Sequence, residues 1–239
     1  NPEQVENLIA VFQPNEIYYL AAFHASSENA CVEDSVDNYN LFHSVHVKAY
    51  LLFLQAVKRF SPSARVFYAA SSLLFSGSDG PVQNEKTPYS PVGFYGLTKL
   101  QGLYLGRHFR EQHNLFVSTG IMYSHESVYR KETFLSKKLL KAAYEISIGK
   151  RHSLVLGDLE AKNDWGYAYD HVNAMVSLLS ANVNGEFIIG TGEPHSVREF
   201  AEAVFKKFNL NYQNYISVDE SLLVRKSPMK IADISKVGE

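Results

Sequence analysis

Tyr95-Gly-Leu-Thr-Lys99 puts a phenol and an ammonium one helical turn apart, on the same helix face. A lysine charge beside a tyrosine favours the phenolate and lowers its pKa. Such a phenolate can take a proton from an alcohol or a sugar hydroxyl while that carbon is oxidised. With 15 tyrosines in the chain, the spacing alone is unspecific, and the bland reading is a solvated helix pair. The second feature is Ser71-Ser72, which follows the apolar run Ala64–Ala70. A hydroxyl at a strand end can share the proton of a reacting oxygen, or it can simply cap a turn. Chance rarely supplies a strand-end serine, a loop and then Tyr-x-x-x-Lys on the next helix.

Other reactive residues carry weaker signals. His43 and His46 lie one turn apart with no third ligand in view, so no metal is expected. His125-Glu126 follows a strand and is either a site pair or a satisfied turn. Lys137, Lys138 and Lys141 on a basic helix could hold phosphates, although a solvated face is the commoner arrangement. Asp164-Trp165-Gly166 carries the single tryptophan, whose default role is packing. Cys31, the single cysteine, lacks a nucleophile context and excludes an internal disulfide framework.

These groups need a scaffold. Apolar residues at Val5, Leu8, Ile9 and Phe12 have helix spacing over 2–12, and 16–22 reads as a buried strand. Helical spacing returns over about 36–60, strand character over 64–70, a Gly/Pro/Asn/Ser-rich loop over 77–91, a long helix over 94–114 and a strand over 116–123. Helices alternating with apolar, non-alternating strands predict a parallel sheet covered by helices, part of a doubly wound α/β fold. Ligands of such sheets sit beyond the strand carboxyl ends, which gathers Leu20–Ala22, Ser71–Leu74 and Ile121–His125 around one crevice. Further on, 131–150 is a basic amphipathic helix, 151–156 a strand, 170–179 a helix and 185–190 a strand. Ser196-Val-Arg-Glu199 has capping-box spacing ahead of a helix to about 208.

Composition narrows the options. The chain has 239 residues, 46% hydrophobic and 20% charged, with a formal net charge of -2. That is an ordinary globular balance, with no global field for nucleic acid or an anionic membrane. No apolar run is long enough to span a bilayer, and no signal-peptide layout is present, so a cytoplasmic location is expected. The chain opens without Met, which suggests processing or truncation.

The motifs resemble those of extended short-chain dehydrogenases/reductases, and within them the GDP-mannose 4,6-dehydratase family. Beyond Glu16–Ala22, Ser71-Ser72 and Tyr95-x-x-x-Lys99, Gly120-Ile-Met-Tyr-Ser-His-Glu-Ser127 is similar to that family's Gly-Ile-Leu-Phe-Asn-His-Glu-Ser. The stretch Glu132–Lys138 is similar to Glu-Thr-Phe-Val-Thr-Arg-Lys. Leu156–Asp170 resembles Leu-Gly-Asn-Leu-Asp-Ala-Lys-Arg-Asp-Trp-Gly-His-Ala-Arg-Asp.

The resemblance implies a partial Rossmann-type sheet lacking its first strands, with residues 1–122 as the remainder of the cofactor domain. Residues 123–239 would form mostly a smaller mixed α/β substrate domain, with some segments returning to the sheet. It implies NADP (NAD as the alternative), a GDP-linked nucleotide sugar and a homo-oligomer. Tyr95 would be the base, Lys99 its partner and a ribose ligand, and Ser71 the counterpart of a catalytic threonine. Leu20, Ala21, Ala22, His125 and Arg130 would contact the cofactor. Ser124, Leu135, Lys138, Asn163 and Arg225 would face the substrate. The family reaction oxidises C4, eliminates water across C5 and C6, and reduces C6.

The sequence also departs from this pattern. Leu73 stands where the family has its catalytic glutamate, Ser124 where it has an asparagine, and Asn163 where it has an arginine. His46–Tyr50 replaces a segment that usually holds Asn or Asp and then Gly-Thr. No glycine-rich phosphate loop occurs in these residues. By resemblance the chain starts after three strands of the sheet, which would leave Glu16–Ala22 an apolar edge. The alternatives are a redox-only C4 reductase or epimerase, which needs no glutamate, and a non-catalytic paralogue.

Overall fold

The computed structural model describes residues 1–23, 35–222 and 229–238. Cys31 and Arg225 lie outside the described residues. Helix α1 (Pro2–Phe12) starts where the Asn1 side chain accepts from the Glu3 amide and Pro2 fills the first turn. It stops at Gln13, which turns left-handed at φ 41°. Strand β1 (Glu16–Tyr19) follows. It is shorter than predicted, because Leu20–Ala22 leave the strand and form loop at its carboxyl end.

The predicted helix over 36–60 is present but interrupted. Helix α2 (Val36–His43) is capped by Ser35, passes into a π-helical segment, Ser44–Ala49, and resumes as α3 (Tyr50–Phe60). Such wide turns insert an extra residue and occur often at functional sites. Strand β2 (Arg65–Ala69) leads into a 3₁₀ turn, Ser72–Phe75. The loop predicted over 77–91 holds a two-residue strand, β3 (Val82–Gln83). Helix α4 (Phe94–His113), β4 (Phe116–Met122) and β5 (Ser124–Glu126) come next.

In the second half, α5 (Leu135–Ser147) is shorter than the predicted 131–150. It is followed by β6 (Leu154–Leu156), β7 (Lys162–Tyr167), α6 (Ala168–Ser180) and β8 (Gly185–Ile189). Then come β9 (Pro194–Ser196) and α7 (Val197–Lys207), whose predicted capping box is formed by Ser196 and Glu199. Strands β10 (Ile216–Val218) and β11 (Ile231–Ala232) are the last among the described residues.

The main sheet runs β1-β2-β4-β8 with every pairing parallel. Both faces are covered, which is why its strands read as apolar runs rather than alternating ones. Val66, Tyr68, Val117, Ile121 and Ile188 pack with Ile9, Leu54, Val57 and Leu103 of α1, α3 and α4. Phe67, Met122, Phe187 and Ile189 pack with Met175, Leu178 and Leu179 of α6. Among the described residues β1 has a neighbour on one side only.

A second core unites α5 and α7 through Leu139, Ala142, Ala143, Ala201, Val204 and Phe205, with Leu154 and Leu156 beneath. The remaining strands form small sheets, β5-β7-β9, β6 with β10, and β3 with β11. The parallel register brings every main strand's carboxyl end to one edge, where the second core faces it.

Two close approaches set the geometry there. A Cβ on Gly102 of α4 would fall 2.0 Å from the Tyr68 hydroxyl, so only glycine lets α4 lie this close to β2. A Cβ on Gly96 would fall 2.9 Å from the Leu73 carbonyl oxygen. Gly96 thereby lets the first turn of α4, which carries Tyr95, abut the turn that carries the serines.

Candidate active site

A cavity of about 1130 Å³ opens at the carboxyl ends of the strands. Leu20, Ala22, Ser71, Ser72, Leu73, Tyr95, Lys99, Ser124, His125, Arg130, Leu135 and Asn163 all line it. Segments far apart in the chain thus supply one site, at the crevice the strand order predicts. Two carried-over residues stand apart. Ala21 is exposed between two lining residues without lining the cavity itself, and Lys138 is half-buried on α5 outside the lining.

The two serines differ in their bonding. Ser71 caps the 3₁₀ turn, its Oγ accepting from the Leu73 amide at 3.3 Å. The Ser72 hydroxyl, one residue on, makes no hydrogen bond to a described residue. The turn reads Ser-Leu-Leu-Phe from Ser72 to Phe75, with Leu73 at the cavity and Leu74 fully buried. It carries no carboxylate.

Lys99 is 1% exposed. Its Nζ donates to the Ala69 carbonyl at 2.8 Å and sits 5.2 Å from the centre of the Tyr68 ring. Burial drives its pKa down to about 7. The amine is therefore poised near neutrality, and an anion forming beside it would draw the proton back. Tyr95 is half-buried, its ring met edge-on by Phe42 at 5.9 Å and His46 at 5.1 Å.

The opposite wall comes from β5, β7 and the turn before α5. His125 engages the Tyr123 carbonyl through Nδ1 at 2.9 Å and lies 4.8 Å, centre to centre, from the His171 ring. Burial and the neighbouring His125 lower the His171 pKa. Arg130 pairs with Glu126 at 3.1 Å and stacks on Phe134 at 3.7 Å. Glu126 also accepts from the Ser136 hydroxyl at 2.5 Å, so its carboxylate is committed to its neighbours. Asn163 and Ser124, the two departures from the family pattern, bond each other at 2.7 Å.

Other residues singled out in the sequence have partners of their own. His43 stacks on Tyr39 while His46 is fully buried, and no three potential ligands gather for a metal among the described residues. Lys137 donates to the Val128 carbonyl and Lys141 pairs with Glu132 at 2.6 Å, which makes them tethers on a solvated face. Trp165 packs on Phe200 at 5.4 Å and also lines the cavity.

Asp164, which the sequence shows only as the neighbour of the single tryptophan, shapes the site from within the core. It is 0% exposed, and its two carboxylate oxygens accept from the amides of Thr191, Gly192 and Ala232 and from the Thr191 hydroxyl, at 2.6–3.0 Å. One buried acid thus clamps β7, the loop after β8 and β11 together. Its neighbours Glu160, Lys162 and Asn163 are polar, so nothing local marks it as buried.

Comparison with known proteins agrees with the motifs. The family model described as GDP-mannose 4,6 dehydratase matches residues 1–236. The chain is 36% identical over 200 residues to the GDP-mannose 4,6 dehydratase of Homo sapiens, covering 83% of this chain and 52% of that one. It is 33% identical over 215 residues to GDP-mannose 4,6 dehydratase 2 of Arabidopsis thaliana, covering 89% and 56%. The chain therefore spans about half the length of these curated relatives.

Among solved structures, RMD from Pseudomonas aeruginosa, complexed with NADPH, superposes with a TM-score of 0.84 at 17% identity, covering 99% of this chain and 77% of that one. DesIV, a dTDP-glucose 4,6-dehydratase from Streptomyces venezuelae with NAD and TYD bound, gives 0.80 at 17%, covering 99% and 69%. These likenesses show the fold. With the family match over nearly every residue, this chain belongs to the GDP-mannose 4,6 dehydratase family.

Proposed function

We propose that the protein modifies a nucleotide sugar, GDP-linked by its relatives, and retains oxidation at C4 while elimination of water is slowed or lost. The carrying observation is a contrast within one cavity. Ser71, Ser72, Tyr95 and Lys99 line it together, yet the turn beside them bears leucines and no acid. Residues 1–122 then serve mostly the cofactor and 123–239 mostly the sugar nucleotide. A homo-oligomer and a cytoplasmic location are part of the same reading. Among the described residues no helix is long and apolar enough to cross a membrane.

The residues present suit the nicotinamide and ribose end of NADP, or of NAD. Ala22, Ala69 and Ala70 build a wall of small side chains where a flat ring can approach, and the Lys99 amine lies behind it. Leu20, His125 and Arg130 would complete that contact. When bound, the nicotinamide supplies the oxidant for C4.

The chain's own groups do the rest. Tyr95 takes the proton of the sugar 4-hydroxyl. The Ser72 hydroxyl, which no described residue occupies, bonds that oxygen and orients it, while Ser71 holds the turn. Before that transfer Lys99 takes up a proton as the Tyr95 phenol gives up its own, because an adjacent anion offsets the desolvation that keeps the amine near neutrality. The C5 proton and the C6 hydroxyl find no carboxylate on the turn, and lacking such a group costs about 100–10,000-fold.

The test is to incubate the full-length protein with GDP-mannose and NADP and to resolve the products. A 4-keto or 4-epimeric sugar in excess of the 4-keto-6-deoxy sugar is expected. The Leu73→Glu variant, with its acid facing the cavity, should shift product toward the 4-keto-6-deoxy form. A wild-type protein yielding mainly that form overturns the loss of elimination, and one that neither binds NADP nor turns over overturns the enzymatic reading.

A further inference from the structure

The His46 side chain is a buried polar group that the proposed chemistry does not use. It is 0% exposed and lies in the π-helical segment between α2 and α3. The wide turn matters because the extra residue re-aims side chains relative to a regular helix.

Its ring is held at both nitrogens. Nδ1 lies 2.8 Å from the Thr98 hydroxyl, and Thr98 donates onward to the Phe94 carbonyl at 2.8 Å. Thr98 therefore accepts, and Nδ1 carries the proton. Nε2 is then an acceptor and receives the Phe23 amide at 3.3 Å. Thr98 sits between Tyr95 and Lys99 on α4, whereas Phe23 ends the segment that leaves β1 and lines the cavity. The imidazole also meets the Tyr95 ring edge-on at 5.1 Å and 83°. Phe42 stacks on His46 at 5.8 Å and touches both Phe23 and Tyr95, at 5.7 and 5.9 Å.

We infer that His46 is a positioning residue, a neutral cross-brace that sets the Tyr95 phenol against the cavity wall formed by Leu20, Ala22 and Phe23. Each part of the geometry serves this. The donor at Nδ1 locates the helix turn bearing Tyr95 and Lys99. The acceptor at Nε2 locates the backbone of the facing wall. The ring face limits the swing of the phenol. An aliphatic residue could fill the space but could hold neither end. Misplacing a reacting group by about 1 Å can cost about 100-fold in rate.

The kinetic part of this inference rests on the function proposed above, whereas the structural part does not, so the two are tested separately. Three variants of the full chain are compared: His46→Leu, which keeps volume and loses both bonds; His46→Gln, which keeps a donor and an acceptor; and Thr98→Val, which removes the Nδ1 partner without touching the ring. Hydrogen exchange is followed on peptides spanning residues 17–23 and the first turn of α4. Exchange there should rise about 10-fold or more in His46→Leu and Thr98→Val, and His46→Gln should recover most of the protection.

In turnover with a nucleotide sugar and NADP, His46→Leu should lower kcat about 10–100-fold with KM for the sugar within about threefold, and His46→Gln should restore most of it. Exchange unchanged in both His46→Leu and Thr98→Val overturns the brace. So does a His46→Gln variant as impaired as His46→Leu, which would reduce the ring to packing. If the wild type has no turnover, the proposed function fails while the exchange comparison still decides the brace.

Discussion

Asn163 donates from Nδ2 to the Ser124 hydroxyl at 2.7 Å, joining β7 to the start of β5 across 39 residues of chain. Both stand at positions where the family resemblance places an arginine and an asparagine. The two departures are thus partners, a neutral pair in place of a cationic fork suited to phosphate. Changing both back, Asn163→Arg with Ser124→Asn, should lower KM for GDP-mannose by about 5–10-fold, with either single change giving less. Steady-state kinetics on the three variants checks this. A double variant whose KM stays within twofold of wild type would show that the pair does not select the substrate.

Lys99 links function to stability with a definite sign. Its folded pKa, about 7, lies well below the 10.5 of an ordinary lysine. Between those values the unfolded chain holds a proton that the folded chain lacks, so this group's contribution to stability rises with pH by about 1.4 kcal/mol per unit. Below pH 7 the native state carries the full cost of a buried charge. Lys99→Met should therefore melt higher than wild type at pH 6, with the gain shrinking as pH approaches 10. There, the loss of the donor to the Ala69 carbonyl should cancel it. The same variant should lose turnover by about 1,000-fold. Paired melting curves at pH 6, 8 and 10 decide the matter, and a constant difference in Tm would sink the linkage.

Ser71 and Ser72 should separate cleanly on substitution. Ser71→Ala removes a cap from a short turn and should cost about 0.5–1 kcal/mol of stability with a modest effect on kcat. Ser72→Ala should leave the melting temperature nearly unchanged and reduce kcat about 100-fold. Denaturation and single-turnover kinetics on both variants read this out. The reverse pattern would transfer the proton-sharing role to Ser71.

Asp164 should matter to folding more than to chemistry. Asp164→Asn turns an acceptor of four hydrogen bonds into a group that donates with one arm toward existing donors. A loss of about 2–4 kcal/mol is expected, which for a chain of this size lowers Tm by about 4–16 °C. Thermal melting followed by circular dichroism is the measurement. A variant melting within 2 °C of wild type would show that the carboxylate is not the clamp described.

The sequence by itself determined the α/β class and most of the sheet, because local signals suffice there. Glu16–Tyr19, Arg65–Ala69 and Phe116–Met122 are apolar runs long enough to read as strands buried on both faces. Tyr95 and Lys99 were legible together because one helix turn relates them. Only the tertiary structure decided the rest. Strands β3, β9 and β11, of two or three residues, have no periodicity to detect and exist only as partners of distant segments. Asp164 looks like a surface acid until its four donors arrive from residues 191, 192 and 232. His43 and His46 share a helix spacing in sequence, yet a π-helical turn buries His46 between Phe23 and Thr98. A contact between segments tens of residues apart depends on how the whole chain closes, and local hydrophobic pattern carries no record of it.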